Sequence, residues 1–335
     1  MQENREGRLI LLEPADDDPA GQGIVSAPFS PTELAALPAV SVNDLPAEDG
    51  AVLTSAGLAG RSVRTGLPAD LFVCAECSST FDLGWKLREL GFMREWDAAL
   101  ALRQTAGRGQ LRRPWQSPGG NLHVSFRLPE RFVRESAASV LTALLLIRSF
   151  ARMDLPLLFK WPNDLVLMGE HGPGKLGGLL LEERAQVLLA GLGVNMASLP
   201  EAANLRRDAA MPAARLPENF CCGEPVKLWL ELVYNALLIY KNTFTASSSR
   251  ELLWESEKYL LWKGSEVQVL DASESGSITR GLLCGLTELG GLRLFASTTV
   301  KAGAPVADWT DGLRNRREIS LYSGSLSVPS DMDSD

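Results

Sequence analysis

The sequence between Gln104 and Phe126 reads QTAGRGQLRRPWQSPGGNLHVSF, and this stretch decides how the rest of the chain is interpreted. Its glycines let the backbone approach a ligand closely, because glycine has no Cβ atom. Its arginines supply forked N–H donors that suit carboxylates and phosphates. These residues are Gly107, Gly109, Gly119 and Gly120, together with Arg108, Arg112 and Arg113. The stretch predicts a basic, glycine-rich loop that clamps an anion, although a solvated basic turn has the same composition.

Short apolar segments and helical patterns surround this loop. Residues 71–77 (LFVCAEC) are typical of a strand, and residues 78–90 begin a helix with a Ser-x-x-Asp capping pattern. Residues 135–153 are apolar on nearly every side, which indicates a buried helix. Further strand-length segments lie at 122–128, 157–160, 165–168, 175–183 and 186–194, and an amphipathic helix lies at 227–244. This mixture predicts an α+β sheet domain over residues 71–262.

The sequence after Trp262 contains only short strand patterns. They predict a small β-barrel over residues 263–323, and the polar residues 324–335 are expected to form a frayed tail. The four patterns are GSEVQVL (264–270), SITRGLLCGL (277–286), GGLRLF (290–295) and REISLY (317–322).

Residues 1–72 differ from the rest of the chain in charge and in pattern. They hold 11 acidic and 4 basic side chains, so they carry −7 of the formal net charge of −8. They are rich in proline and show no sustained helical or alternating pattern, although a short apolar patch lies at Leu9–Leu12. Residues 1–70 are therefore predicted to be an acidic, partly disordered N-terminal extension whose apolar patch can dock on the body.

The composition disfavours several classes of protein. A chain of 335 residues has room for about two or three domains, and 33 basic against 41 acidic side chains disfavour a nucleic-acid-binding protein. No apolar run reaches the ~18–20 residues that span a bilayer, and the opening MQENREGR lacks the basic region of a signal peptide. Five cysteines in so long a chain indicate reduced thiols. We expect a soluble cytoplasmic protein with no nucleic-acid or membrane partner.

A near-match to a phosphate-binding P-loop occurs at 169–175 (GEHGPGK). Leu176 stands where a P-loop has the Ser or Thr that binds Mg²⁺, and the residues after it are typical of a strand rather than a helix. The GLG at 191–193 likewise lacks the third glycine of a dinucleotide fingerprint. Neither match is interpreted as a binding motif.

The cysteine and histidine content offers little for a metal site. Cys74 and Cys77 form a C-x-x-C pattern, but an offset of three on a strand places the two side chains on opposite faces. Buried free thiols are the preferred interpretation. The two histidines, His123 and His171, provide too little material for a histidine-rich metal site or a catalytic triad.

Several short motifs occur together with the loop, in one order and spacing. They are SST (78–80), GRGQ-x-x-R-x-W (107–115), SPGGN (117–121), KWPND (160–164), KLGGLLLE (175–182) and GLGVN (191–195). In this combination the chain resembles the biotin–protein ligases, which activate biotin with ATP and attach it to a lysine of a carrier domain. The resemblance extends through most of residues 71–323, and it is far more specific than any single motif.

The resemblance implies a fold as well as an activity. The catalytic domains of this family are similar to those of class II aminoacyl-tRNA synthetases and lipoate ligases, with a mixed sheet and helices. The family also has a small SH3-like C-terminal barrel, which agrees with the strand patterns of residues 263–323. The DNA-binding helix-turn-helix of bifunctional members has no counterpart in residues 1–72, so a monofunctional ligase is implied.

The resemblance also assigns roles to individual residues. The implied catalytic residues are Lys175, Arg108 and Asp164. The implied biotin-binding residues are Ser79, Thr80, Gln104, Gly107, Arg108 and Lys175, although Ser79 also fits a plain helix N-cap. The implied ATP- and adenylate-binding residues are Arg108, Gln110, Arg113, Trp115, Lys160, Asn163 and Asn195. No side chain is assigned as a metal ligand, and Mg²⁺ is expected to bind mainly through ATP.

The implied reaction has two steps. The biotin carboxylate attacks the α-phosphate of ATP to give biotinyl-5′-AMP, and fixed cations such as Arg108 and Lys175 stabilise the developing charge. A neutral lysine amine of a biotin carboxyl carrier domain then attacks this anhydride, and Asp164 orients the amine and takes its proton. Two alternatives stay open: a lipoate or octanoate ligase of the same fold, and a non-catalytic paralogue that binds biotin or a carrier. The sequence is compatible with a monomer or a homodimer.

Two residues depart from the family pattern. Gln110 stands where arginine is common, which removes a charge next to the reactive adenylate and implies weaker retention of that intermediate. Phe81 stands where asparagine is frequent, which bears on the contacts with biotin.

Overall fold

The computed structural model describes residues 6–14, 24–35, 37, 43–44, 47–55, 57–200, 211–218, 220, 224–270, 277–301 and 317–328. The chain forms two compact units. The first unit comprises Met1–Arg134, Gly177–Pro200 and Arg215–Asn235, and the second comprises Glu135–Leu176, Glu201–Ala214 and Ala236–Asp335. Within the described residues, no helix is long and apolar enough to cross a membrane.

The described elements are strands and short helices. The strands are β1 (Arg8–Pro14), β2 (Val25–Ala27), β3 (Asn43–Asp44), β4 (Leu58–Arg64), β5 (Leu71–Cys77), β6 (Ala98–Gln104), β7 (Leu122–Arg127), β8 (Leu158–Lys160), β9 (Asp164–Gly169), β10 (Gly172–Arg184), β11 (Val187–Val194), β12 (Glu266–Leu270), β13 (Ser277–Leu286), β14 (Leu292–Lys301), β15 (Arg317–Leu321) and β16 (Ser325–Ser327). The helices are α1 (Pro31–Ala35), α2 (Ala47–Ser55), α3 (Thr80–Glu89), α4 (Glu130–Val133), α5 (Ala138–Ala151), α6 (Pro225–Ile239) and α7 (Ser249–Ser256). Two 3₁₀ turns lie at Gln110–Arg112 and Glu257–Tyr259, and a π-helical turn lies at Tyr240–Phe244.

The first unit is built on a mixed sheet. Its strand order is β3-β4-β1-β5-β6-β7-β11-β10, and β2 adds to β5. The pairs β1–β5 and β5–β6 are parallel, whereas the pairs from β6 through β7 and β11 to β10 are antiparallel. Helix α3 connects the parallel strands β5 and β6 and buries one face, including Phe81 and Leu87, in a core with Phe72 and Leu189. The predicted mixed sheet with helices is confirmed.

The N-terminal residues contribute strands to this sheet, which corrects the prediction of a loosely packed extension over residues 1–70. β1 pairs with β4 on one side and with β5 on the other, and Leu12 is fully buried. Arg8 anchors the strand, because its backbone N–H donates to Asp70 Oδ1 at 2.8 Å and its Nη1 donates to Asp49 Oδ2 at 2.7 Å. The apolar patch at Leu9–Leu12 is therefore part of the core. Residues 1–5 and 15–23 lie outside the described residues.

The second unit contains the buried helix and the C-terminal sheet that the sequence predicts. Residues 172–176 at the start of β10 belong to this unit. In the strand order β10 is followed by β9 and β8, and a separate five-stranded sheet has the order β15-β14-β13-β12-β16. The C-terminal sheet packs on its neighbours in this unit: Trp161 Nε1 donates to Gly290 O at 3.0 Å, and the backbone N–H of Leu286 donates to Glu257 Oε1 at 2.8 Å. The domain boundary at residues 262 and 263 stays a prediction.

The predicted tail at 324–335 begins with a strand. β16 pairs with β12 through Val269 and Leu326, and Leu326 is fully buried. The frayed tail is therefore wrong for Ser325–Ser327, because this segment pairs with β12 and buries its apolar side chain. Residues 329–335 lie outside the described residues.

Cys74 and Cys77 do not lie on opposite faces, so that part of the sequence prediction is wrong. Both are fully buried in the same apolar cluster, and both are free thiols. The hydrogen bond with Cys77 and burial raise the pKa of the Cys74 thiol well above its usual value. Cys77 is the last residue of β5, and the register shift in the pairing of β5 with β2 lies between Val25 and Ala27 of β2. Among the described residues, no three His, Cys, Asp or Glu side chains are grouped to hold a metal ion.

Candidate active site

The start of α3 is joined to the end of β6 by a partly buried hydrogen-bond network. Ser79 is the N-cap of α3, and its Oγ accepts a hydrogen bond of 3.4 Å from the backbone N–H of Phe81. The backbone N–H of Thr80 donates to Gln104 Oε1 at 2.8 Å, and Gln104 Nε2 donates to Ser117 Oγ at 2.8 Å. Gln104 therefore connects the SST motif with the SPGGN motif, and three of the predicted biotin-binding residues lie together.

The glycine-rich loop is a tight hairpin in the first unit. The backbone N–H of Trp115 donates to Gly107 O at 2.8 Å, and that of Gly109 donates to Arg113 O at 2.8 Å. A Cβ atom on Gly107 would lie 2.5 Å from Trp115 O and 2.7 Å from Ser117 Oγ, so the loop closes only around glycine. Gln110 begins the 3₁₀ turn at the loop tip, and Arg113 follows that turn with an exposed side chain.

Arg108 extends from this loop to two carboxylates of the first unit. Its Nη1 donates to Glu182 Oε1 at 2.8 Å, and its Nη2 donates to Asp82 Oδ1. Burial acts to lower the pKa of Arg108, but the hydrogen bonds with Asp82 and Glu182 outweigh it and raise the pKa above its ordinary value. Arg108 is therefore a permanent cation, held in place by residues that the sequence analysis did not assign to the site.

Trp115 packs on β11. A Cβ atom on Gly193 would lie 2.5 Å from Cζ2 of the Trp115 indole, so the ring lies directly on the Gly193 backbone. Asn195 follows β11 with a buried side chain, and its carbonyl oxygen accepts a hydrogen bond of 3.0 Å from Leu216 N. The ring of Phe81, which stands where asparagine is frequent in the family, packs in the apolar core, 2.5 Å from where a Cβ of Gly191 would stand.

Asn121 fixes the end of the SPGGN motif, although the sequence analysis did not single it out. Its Oδ1 accepts from the backbone N–H groups of Met196, Ala197 and Ser198 at 2.9, 3.0 and 3.0 Å. Its Nδ2 donates to Ser198 O at 2.9 Å. A buried asparagine that ties the loop to the chain after β11 is a positioning residue, and its place at the end of SPGGN is the signal that could have found it.

His123 is a second buried polar residue next to this loop. Its Nε2 lies 3.2 Å from Pro118 O, so Nε2–H donates to that carbonyl. The ring is 2% exposed, and desolvation lowers its pKa from 6.5 to about 4. His123 is therefore neutral at physiological pH and supports the loop rather than transferring protons.

The second unit holds the remaining predicted residues. Lys175 Nζ lies 2.7 Å from Asp164 Oδ1, and Lys160 Nζ lies 3.7 Å from Asp164 Oδ2. Lys160 and Asp164 are paired across β8 and β9, and the turn between them contains Asn163 and a cis Trp161–Pro162 peptide. The backbone of Lys175 is held as well, because its N–H donates to Pro212 O at 2.7 Å. One carboxylate thus faces two cations.

The residues that follow the near-match to a P-loop at 169–175 lie in a strand, as predicted. Residues Gly172–Arg184 form β10, so the backbone N–H groups after Lys175 pair in the sheet and do not open a helix. Lys175 therefore extends from a strand and not from the start of a helix.

The part of the chain that forms this sheet and carries these clusters is similar to a known class of protein. Residues 75–196 match the model of the Biotin/lipoate A/B protein ligase family. Over 125 residues the chain is 35% identical to the biotin–[acetyl-CoA-carboxylase] ligase of Paracoccus denitrificans, covering 34% of this chain and 50% of that protein. Over 121 residues it is 34% identical to the bifunctional ligase/repressor BirA of Salmonella typhimurium, covering 33% of this chain and 36% of that protein.

A solved structure has a similar fold. The structure is similar to that of the biotin protein ligase from Aquifex aeolicus in complex with biotin and ATP, with a TM-score of 0.54 and 25% sequence identity. This likeness covers 77% of this chain and 99% of that chain. The sequence alignments, by contrast, span half or less of the curated relatives.

Proposed function

We propose that the protein is an ATP-dependent biotin–protein ligase that joins biotin to a lysine of a biotin carboxyl carrier domain through biotinyl-5′-AMP. The observation that carries the proposal is the 2.7 Å contact between Lys175 Nζ and Asp164, which holds the ammonium group that the resemblance assigns to the carboxyl group and the α-phosphate. The ligase family match and the likeness to a ligase bound to biotin and ATP support the same assignment.

The first step forms the mixed anhydride. A biotin carboxylate oxygen attacks the α-phosphorus, the bond from that phosphorus to the bridging oxygen breaks, and pyrophosphate leaves with the electron pair. Negative charge on the phosphate oxygens requires fixed donors, and Arg108 and Lys175 are our candidates for that role. Mg²⁺ bound to the triphosphate would neutralise part of its charge.

The second step transfers the acyl group. A neutral carrier amine attacks the acyl carbon, AMP leaves, and a base must accept the ammonium proton. Asp164 is our candidate for that base. Because its carboxylate faces both Lys175 and Lys160, the role requires Lys175 to turn towards the ligand, which frees one carboxylate oxygen.

The first unit supplies the other ligand contacts. Ser79, Thr80 and Gln104 form a largely buried polar network of the kind that a ureido group requires, since both its N–H and C=O groups need partners when buried. Trp115 offers a flat indole for adenine. Asn195 directly follows β11, the strand on which that indole packs.

Biotin-dependent exchange of labelled pyrophosphate into ATP tests the first step, and streptavidin detection of a co-expressed carrier domain in a ligase-deficient host tests the second. We expect wild-type protein to give both signals and Lys175→Ala to lose exchange while keeping its circular dichroism spectrum. Lys241→Ala, which removes an exposed lysine elsewhere in the second unit, is the matched control. Unchanged exchange in Lys175→Ala would refute the assignment.

The same assays separate the alternatives. Exchange that depends on lipoate or octanoate instead of biotin would identify a lipoate or octanoate ligase, and binding of biotin without exchange or transfer would identify a non-catalytic paralogue. The carrier-domain partner, the cytoplasmic location and the choice between monomer and homodimer stay predictions.

A further inference from the structure

Arg108 is held by two carboxylates that come from different elements of the first unit. Asp82 lies in the first turn of α3, and Glu182 lies near the end of β10. They are 26 and 74 residues from Arg108 along the chain, and both are partly buried where they meet its guanidinium. The ion pairs therefore depend on the folded unit and not on local sequence.

Each carboxylate is itself fixed through its second oxygen. Ser78 Oγ donates to Asp82 Oδ2 at 2.8 Å, and Trp85 Nε1 donates to Glu182 Oε2 at 3.0 Å. The guanidinium of Arg184 lies 4.7 Å from the centre of the Trp85 ring, and its Nη2 lies 3.5 Å from Glu182 Oε2. The arrangement is more rigid than an isolated surface ion pair, since both acidic partners have lost rotational freedom before Arg108 binds them.

The geometry leaves donors for a ligand. A guanidinium has five N–H groups, and the two bonds use one on Nη1 and one on Nη2. The carboxylates can stay in place while other N–H groups meet a phosphate. The cluster of Asp82, Glu182, Arg108 and Arg184 has no formal net charge, so the two acids do not turn this surface into one that repels an anion.

We propose that Asp82 and Glu182 are positioning residues that hold the Arg108 guanidinium in place for the phosphate groups of ATP and of the adenylate. The inference rests on the proposed function. Arg108 would otherwise lose its side-chain rotational entropy on binding ligand, and the two carboxylates impose that cost during folding instead. Loss of either carboxylate should therefore weaken nucleotide binding.

Two explanations predict opposite changes in the affinity for ATP. Asp82→Asn and Glu182→Gln each remove a negative charge, so simple electrostatics predicts tighter binding of ATP, whereas positioning predicts weaker binding. We expect the dissociation constant for MgATP, measured by calorimetry on the full chain, to rise about threefold to fivefold in each variant. Glu89→Gln on α3 and Glu183→Gln on β10 remove neighbouring exposed carboxylates and should leave it unchanged. A fall or no change in the dissociation constant of both test variants would overturn the proposal.

A double-mutant cycle shows whether the carboxylates act through Arg108. In an Arg108→Ala background, Asp82→Asn and Glu182→Gln should add no further loss of affinity. A further loss of MgATP affinity in the Arg108→Ala background would mean that the two acids act independently of Arg108, which contradicts a positioning role. Should Asp82→Asn fail to fold, Ser78→Ala loosens Asp82 without removing its charge and is expected to weaken MgATP binding in the same direction.

Proteolysis supplies a readout that does not depend on the ligase reaction. Trypsin cleaves after arginine unless proline follows, so the loop offers the Arg108–Gly109 and Arg112–Arg113 bonds. Without ligand, Asp82→Asn and Glu182→Gln should increase the rate of loop cleavage several-fold over wild type, and the two control variants should not. If wild type shows no biotin-dependent exchange but both variants are cleaved faster, the proposed function fails and the positioning of Arg108 stands. If wild type is an active ligase but the cleavage rates are equal, only the positioning of Arg108 is overturned.

Discussion

The Nζ atom of Lys175 lies 2.7 Å from Oδ1 of Asp164, while Nζ of Lys160 lies 3.7 Å from Oδ2 of the same carboxylate. One acid thus sets the position of two ammonium groups, and Lys160 is only 5% exposed. In the proposed reaction, this means that Asp164 acts before any proton transfer, because it decides where the ammonium of Lys175 stands when the ligand arrives.

Asp164→Asn should therefore reduce both activity and stability. We expect the biotin-dependent exchange rate at saturating substrates to fall about 10- to 100-fold, because Lys175 loses its fixed orientation. The free energy of unfolding should fall by about 1–3 kcal/mol, since the buried Lys160 loses an ionic partner. Exchange assays and urea titration measure the two effects. Asp154→Asn removes an exposed acid of the same unit, and an equal loss in that control would contradict the explanation.

Gly193→Ala should displace the Trp115 indole. The new methyl group would lie 2.5 Å from Cζ2 of the ring, and the side chain has to move, whereas the sheet pairing of β11 can stay. We expect a clear rise in the dissociation constant for MgATP with little change in secondary structure. Gly169→Ala, whose Cβ would have only an ordinary 3.6 Å contact, is the control. If the clash with Trp115 is the cause, Gly193→Ala adds nothing in a Trp115→Ala background.

Leu12→Ala should destabilise the first unit, because this side chain of β1 is fully buried in the main apolar cluster. Removal of a buried leucine typically costs about 2–5 kcal/mol, and we expect a loss in that range by urea unfolding. Val52→Ala in α2, where the side chain is 38% exposed, should cost less than about 1 kcal/mol. A near-zero effect of Leu12→Ala would restore the interpretation of residues 1–70 as a loose extension.

His123 should make stability depend on pH between about 6.5 and 4. Its pKa is lowered to about 4 in the folded protein, so the unfolded chain binds the proton first as the pH falls. The contribution of neutral His123 is complete above pH ~6.5 and is lost as the pH falls towards 4. We expect about 2 kcal/mol of the decrease in unfolding free energy between pH 7 and pH 5 to come from this residue.

The substitution His123→Gln keeps an N–H donor for Pro118 O but cannot titrate. Urea titrations of both proteins at pH 7 and pH 5 measure the difference. The same pH dependence in His123→Gln and wild type would show that other groups are responsible.

Gln110→Arg tests the departure at the loop tip. Gln110 starts the 3₁₀ turn that ends at Arg112, close in the chain to the Arg108 cation. An additional guanidinium should hold the negatively charged adenylate for longer, so labelling of bystander proteins with biotin should decrease several-fold relative to wild type. Unchanged bystander labelling would mean that Gln110 does not control retention of the intermediate.

Local signals in the sequence were sufficient for much of the site. The Ser79 cap, the buried helix α5 and the strand that carries Lys175 each follow from patterns within about ten residues, and the structure confirms them. Such patterns report directly on local backbone structure, since capping and side-chain periodicity are local properties.

Contacts between distant residues were the part that the sequence did not reveal. The bond between Arg108 and Glu182 joins residues 74 apart, and nothing in either local sequence specifies the partner. The apolar cluster that Cys74 and Cys77 share is also not predicted, because strict alternation along β5 places the two side chains on opposite faces. β1 escaped detection because its apolar patch becomes a strand only through pairing with β4 and β5.

That pairing has a consequence for how the protein is made. The backbone N–H of Arg8 in β1 bonds to Asp70, 62 residues later in the chain, at the edge of β5. At synthesis rates of about 5–20 residues per second, β1 waits roughly 3–12 s on the ribosome before this partner is made. During that interval its apolar side chains and backbone hydrogen-bonding groups are available to other chains. Protection of this N-terminal strand by a chaperone during translation should therefore favour correct folding of the first unit.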